Sequence, residues 1–97
     1  MILVGRDLLA KFGKRHERAR KAIAAWVAEV ELATWKTSHD VKNRYPAADP
    51  LGANRFVFDL KGNDYRLVVV IQYVAFVVVV RFIGTHAEYD RIDADKV

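Results

Sequence analysis

The sequence predicts an α+β fold: two N-terminal helices packed on a small antiparallel sheet, followed by a short C-terminal helix. Two periodicities and one apolar run predict it. Apolar residues from Leu8 to Ala33 recur at the spacing of an amphipathic helix, whereas from Arg55 onward they alternate with a period of two. The run from Leu67 to Val80 is rich in valine, broken by Gln72 and bounded by Arg66 and Arg81. It is shorter than the roughly 20 residues that a membrane-spanning helix needs, and its β-branched content suits buried strands.

Length and composition set the frame. The chain has 97 residues, which fits one domain over residues 1–97. Its 53% hydrophobic content can supply one core, and its 29% charged content is ordinary for a folded chain. There is no cysteine, so a disulfide scaffold, a thiolate zinc site and a cysteine nucleophile are excluded. A cysteine-free chain suits the cytoplasm. The apolar start at Met1–Val4 runs at once into Gly5-Arg6-Asp7, too short for the core of a signal peptide.

Taken in order, Ile2-Leu3-Val4 reads as an edge strand. Leu8, Leu9 and Phe12 mark a first helix over 5–14, with Gly13 near the break that separates it from the next. A second helix over 17–34 carries Ala19, Ile23, Trp26, Val27 and Val30 on one stripe, leaving Arg18 and Lys21 outward. Ser38 is positioned to cap a third helical turn through Arg44, which Pro46 ends. Residues 45–54 read as a loop from their Pro and Gly content. In the strand Arg55–Leu60, Phe56, Phe58 and Leu60 face one side. The Lys61-Gly62-Asn63-Asp64 turn leads to a second strand, 65–73. A third runs 76–83, ended by Gly84, although Val74-Ala75 between them contains no usual turn residue. Thr85-His86-Ala87-Glu88 matches a capping box, opening a short helix through about Ile92.

Charge is unevenly spread. The net charge is +4, but residues 6–21 set Arg6, Lys11, Lys14, Arg15, Arg18, Arg20 and Lys21 against only Asp7 and Glu17. A localised basic face is what a polyanion partner requires, since each cation near a phosphate releases counterions; the plainer reading is a solvated helix face. If residues 73 and 76 pair across their turn, Arg66 lies opposite Ile83 and diagonal to Arg81 on one sheet face. A slip of one residue would place the two arginines on opposite faces. Such arginines suit either an ion pair with Asp59, Glu88 or Asp90, or a bidentate phosphate clamp. His86 and Tyr89 lie three residues apart on the short helix. Imidazole is the side chain best suited to exchanging a proton near neutrality. His16 and His39 read as surface residues, Trp26 and Trp35 as core, and Tyr73 with Phe76 as a small apolar patch. No metal-ligand spacing and no phosphate-binding glycine loop is present.

Two segments are more specific. Phe58-Asp59-Leu60-Lys61-Gly62-Asn63-Asp64-Tyr65-Arg66-Leu67-Val68-Val69 and Arg81-Phe82-Ile83-Gly84-Thr85-His86-Ala87-Glu88-Tyr89-Asp90 together resemble the HigB-type toxins of bacterial toxin–antitoxin modules, in the RelE/ParE-like superfamily. Trp35-Lys36, Asp40-Val41-Lys42 and Tyr45-Pro46-Ala47 are also similar. The resemblance implies an mRNA interferase that cuts transcripts on the translating ribosome without metal or cofactor. It also implies neutralisation by a HigA-like helix-turn-helix antitoxin, through which operator DNA is bound indirectly. It places Arg66 and Arg81 on the scissile phosphate, His86 as proton donor or acceptor, and Tyr89 beside the substrate. Lys61 would add a phosphate contact, and Lys11, Lys14, Arg15, Arg18 and Lys21 would face RNA. The first sheet strand departs from the family by offering Val57 and Asp59 where lysines are expected, which leaves the general base unassigned. The alternative is a non-catalytic ParE-like protein acting on DNA gyrase.

Overall fold

The computed structural model describes residues 1–97. Its elements are β1 (Ile2–Val4), α1 (Arg6–Arg15), a 3-10 turn (Glu17–Ala19), α2 (Arg20–Leu32), α3 (Ser38–Arg44), β2 (Asp49–Gly52), β3 (Arg55–Leu60), β4 (Tyr65–Gln72), β5 (Val77–Thr85) and α4 (His86–Tyr89). The sheet order is β1-β5-β4-β3-β2. The α+β class and the paired N-terminal helices are as expected, but the sheet is mixed: β1 pairs with β5 in parallel. That pairing is possible because α1 and the elements after it form the long crossover a parallel connection needs.

The period-two pattern assigns the two faces. Phe56, Phe58, Leu60, Leu67, Val69, Ile71, Val78 and Val80 are buried in one cluster with Leu9, Phe12, Ile23, Trp26 and Val30 from the helices. Each such fully buried side chain contributes roughly 1.5–3 kcal/mol relative to exposure. Trp26 and Trp35 lie in this core, both against Phe58. On the other face lie Arg55, Val57 and Asp59 of β3 with Arg66 and Val68 of β4. Val57 and Val68 are buried there, outside the helical cluster. The chain after α4 returns along this face, where the Arg55 guanidinium donates to the Val97 carbonyl oxygen.

Several boundaries differ from the sequence expectation, each for a local reason. Asp49–Gly52 is a strand rather than loop, because Pro50 sits on the sheet edge, where a missing N–H is tolerated. Ala53 and Asn54, both at positive φ, then turn the chain into β3. Gly84 lies within β5, which continues to Thr85, and α4 stops at Tyr89 rather than Ile92. The segment expected as one helix from 17 begins as a 3-10 turn. Ser38 is the first residue of α3, and the Asp40 carboxylate accepts from the Lys36 and Thr37 backbone N–H groups. The unmarked turn after β4 closes with Phe76 at φ 55, and Val74 is almost fully exposed.

Gly5 decides how closely α1 approaches β5. It has φ 98, and a Cβ there would lie 2.9 Å from the Val80 Cβ and 3.0 Å from the Val80 carbonyl oxygen. At Gly52, φ is 83 but nothing lies within 4 Å of a Cβ. Gly5→Ala therefore adds a clash to the backbone strain. It is expected to destabilise the fold by about 2 kcal/mol or more, and Gly52→Ala by clearly less. Urea midpoints of the two variants measure the difference.

Candidate active site

The β3–β4 hairpin sets one charged pair. The Lys61–Asp64 turn fixes Leu60 opposite Tyr65, which places Asp59 directly opposite Arg66. Arg66 Nε lies 2.8 Å from Asp59 Oδ1, although its N–H is not aimed at that oxygen, so the contact is an ion pair rather than an aligned hydrogen bond. The Arg66 side chain is only 17% exposed, which makes a partner necessary: an unpaired guanidinium at such a site is strongly unfavourable. Of the three acids considered from sequence, Asp59 is that partner.

The capping box fixes the second group. Thr85 Oγ1 accepts from the Glu88 N–H at 3.1 Å, and Glu88 Oε1 accepts from the Thr85 N–H at 2.8 Å. The His86 N–H donates to the Asp64 carbonyl oxygen at 3.1 Å, tying α4 to the hairpin turn. His86 Nδ1 is thereby held 3.4 Å from Arg66 Nη2, and Nε2 lies 3.5 Å from Asp90 Oδ2. The tautomer that suits both neighbours carries its proton on Nε2, facing the carboxylate, and leaves Nδ1 as acceptor. Tyr89 completes the group, with its ring 5.2 Å from the Arg66 guanidinium carbon. Burial, more than any charge, raises the Tyr89 phenol above its ordinary value; Arg66 opposes this, while Asp49, Asp95 and Asp90 add to it. The phenol therefore keeps its proton at neutral pH.

Arg66, His86 and Tyr89 are thus brought together, but Arg81 is not with them. Near the turn the β4–β5 register is the expected one, with Gln72 opposite Val77. Between Val68 and Val69 it shifts, because Arg81 is an extra residue on β5, and Arg66 ends opposite Gly84 rather than Ile83. Arg81 instead lines a depression with Lys11 and Arg15 of α1. Lys14 borders a separate groove between α1 and α2, while Arg18, Lys21 and Lys61 are exposed. His39 is on the surface as expected. His16 is half-buried, stacked on Phe12 with ring centroids 4.3 Å apart, a contact the four-residue spacing on α1 permits. No three His, Asp or Glu side chains converge as metal ligands do.

A family model described as HigB toxin, the RelE-like toxic component of a toxin–antitoxin system, matches residues 19–92. The chain belongs to the HigB toxin family. It is a RelE-like toxin of a toxin–antitoxin system, and so has an antitoxin partner. RelE-like toxins are generally endoribonucleases. No curated protein matches the chain. The match includes Arg66, Arg81, His86 and Tyr89 but begins after α1. No helix is long and apolar enough to cross a membrane.

Within this HigB toxin, Glu88 links α4 to α1 through its contact with Arg15. Its carboxyl is held below the ordinary value chiefly by the Thr85 backbone N–H, despite some opposing desolvation, with Arg15 and His16 adding to the lowering. A depressed carboxyl contributes stability above its unfolded value, lost as pH falls through the folded one. Glu88→Gln is therefore expected to lower the urea midpoint at pH 7 and to match wild type near pH 3. A difference that persists unchanged at low pH would contradict the assignment.

Proposed function

We propose that the protein is a ribosome-dependent mRNA endoribonuclease that arrests translation, in a single RelE-like domain over residues 1–97. The single observation that carries the reading is the grouping of a guanidinium, an imidazole and a protonated phenol around Arg66. A pure binding surface has no need of that combination.

In the proposed reaction, His86 Nδ1 takes the proton from an RNA 2′-hydroxyl as its oxygen attacks the adjacent phosphorus. The bond to the 5′-oxygen breaks, and the leaving oxygen gains a proton from the Tyr89 phenol, with water restoring it. The products are a 2′,3′-cyclic phosphate and a 5′-hydroxyl. Arg66 stabilises the charge that builds on the phosphoryl oxygens, and the route needs no metal. Asp90 keeps His86 in the tautomer that leaves Nδ1 free. Dependence on the 2′-hydroxyl spares DNA. The exposed cations Arg18, Lys21 and Lys61 contribute affinity for ribosomal RNA without sequence choice. The neutralising partner is a HigA-like helix-turn-helix antitoxin that also carries the complex to operator DNA, and the site of action is the cytoplasm.

Primer extension on an mRNA in a translating extract tests this reading. Discrete A-site cuts are expected with wild type, reduced about 100-fold or more by His86→Ala and Arg66→Ala, and about 10-fold by Tyr89→Phe, each shown to be folded. Intact mRNA from a toxin that still stops growth would discard the nuclease reading in favour of the ParE-like action on gyrase.

A further inference from the structure

We propose that Lys11, Arg15 and Arg81 form a second RNA subsite, a cleft for the single-stranded phosphodiester backbone that is distinct from the acid–base group. The inference rests on the RNA reading above and names where the strand is held.

The three cations line one depression of about 230 Å³, with no acidic residue among its walls. Lys11 and Arg81 take part in no ion pair, and Arg15 has only an exposed contact with Glu88 at 3.7 Å. Three like charges around one small hollow, two of them without an acidic partner, repel each other, and an anion removes that repulsion. The cations also match phosphate in shape, since guanidinium forks grip it bidentately and an ammonium acts as a point charge. Leu8 and Phe82 supply apolar wall beside them, with buried Phe12 behind, suited to a sugar or the face of a base. A protein acidic segment would satisfy the charge but has less use for aromatic wall.

Two local features build the cleft. The extra residue in β5 takes Arg81 out of the ladder, and bulges commonly re-aim a side chain in this way. Gly5 lets α1 close onto β5 at Val80, which brings Lys11 and Arg15 alongside. The cleft borders α4, the helix that carries His86, through the Arg15–Glu88 contact. Lys11 and Arg15 precede residue 19, so the family match does not account for them.

The test is fluorescence anisotropy of a labelled, unstructured 12-nucleotide RNA across a salt series, using the full chain with His86→Ala to prevent cutting. Adding Lys11→Ala, Arg15→Ala and Arg81→Gln is expected to weaken binding at least 10-fold at low salt. It should also reduce the slope of log K against log salt by about 2, roughly 0.7 for each phosphate of the single strand left without its cation. Arg81→Gln alone should reduce it by about 0.7, which keeps the test valid if the triple variant unfolds. Lys36→Gln, Arg91→Gln and Lys96→Gln together remove equal charge elsewhere and should leave the slope unchanged. A slope unaltered by the cleft variants, or lowered equally by the control, would overturn the subsite. Tighter cleft-dependent binding of a polyglutamate peptide than of RNA would overturn it too, in favour of an acidic protein segment. Wild type that binds RNA through the cleft but cuts no mRNA would remove the nuclease reading alone.

Discussion

One extra residue in β5 organises the charged surface of this protein. Without it, antiparallel pairing of β4 with β5 in the register set at the 73–76 turn would put Arg66 opposite Ile83. With Arg81 looped out, every pair from Val68 to Tyr65 moves by one, and Gly84 lands opposite Arg66. Glycine there leaves space that a side chain would lack: a Cβ at Gly84 would meet the Phe82 ring at 2.6 Å and the Glu88 Cβ at 3.1 Å. The slip therefore seats α4 tightly at the end of β5, with His86 at Arg66. It also leaves Arg81 beside α1. A one-residue shift in a ladder thus separates two arginines that would otherwise be neighbours.

Arg66 is held in a balance of forces rather than a rigid clamp. Asp59 offsets its charge without receiving an aligned hydrogen bond, Tyr89 presents its ring, and His86 accepts at the limit of hydrogen-bond distance. A phosphate arriving at this site brings a geometry better matched to the guanidinium fork than Asp59 provides. In the proposed reaction, Arg66 turning to the phosphate would release His86 Nδ1 for a proton. Polar groups around Arg66 are thus held by burial and the sheet. The cleft at Arg81 is different in kind, since Lys11 and Arg81 have open space in place of partners and Arg15 has only its exposed contact with Glu88.

The sequence made much of this legible where chemistry is local. The hairpin turn at Lys61–Asp64 was marked, with Asp59 among the three acids expected at Arg66, and the capping box at Thr85 and Glu88 marked the helix that presents His86 and Tyr89. Trp26 followed from helical spacing, and Trp35 from its place just past the end of the second helix. What escaped depended on non-local pairing. A bulge at Arg81 carries no glycine to announce it, β2 was hidden by Pro50 and Gly52, and β1 finds its partner across most of the chain. The stacking of His16 on Phe12 was readable from their spacing, but only the docking of α1 near Tyr65 makes it a half-buried pair.

The claim on which the rest turns is that Arg66 works with His86 and not with Arg81. A double-mutant cycle on mRNA cleavage measures this directly, combining Arg66→Ala with His86→Ala and, separately, with Arg81→Gln. The account predicts that the first pair is strongly non-additive, the double variant being little worse than either single one, and that the second adds to within about 0.5 kcal/mol. Strong coupling between Arg66 and Arg81, with additivity between Arg66 and His86, would contradict it.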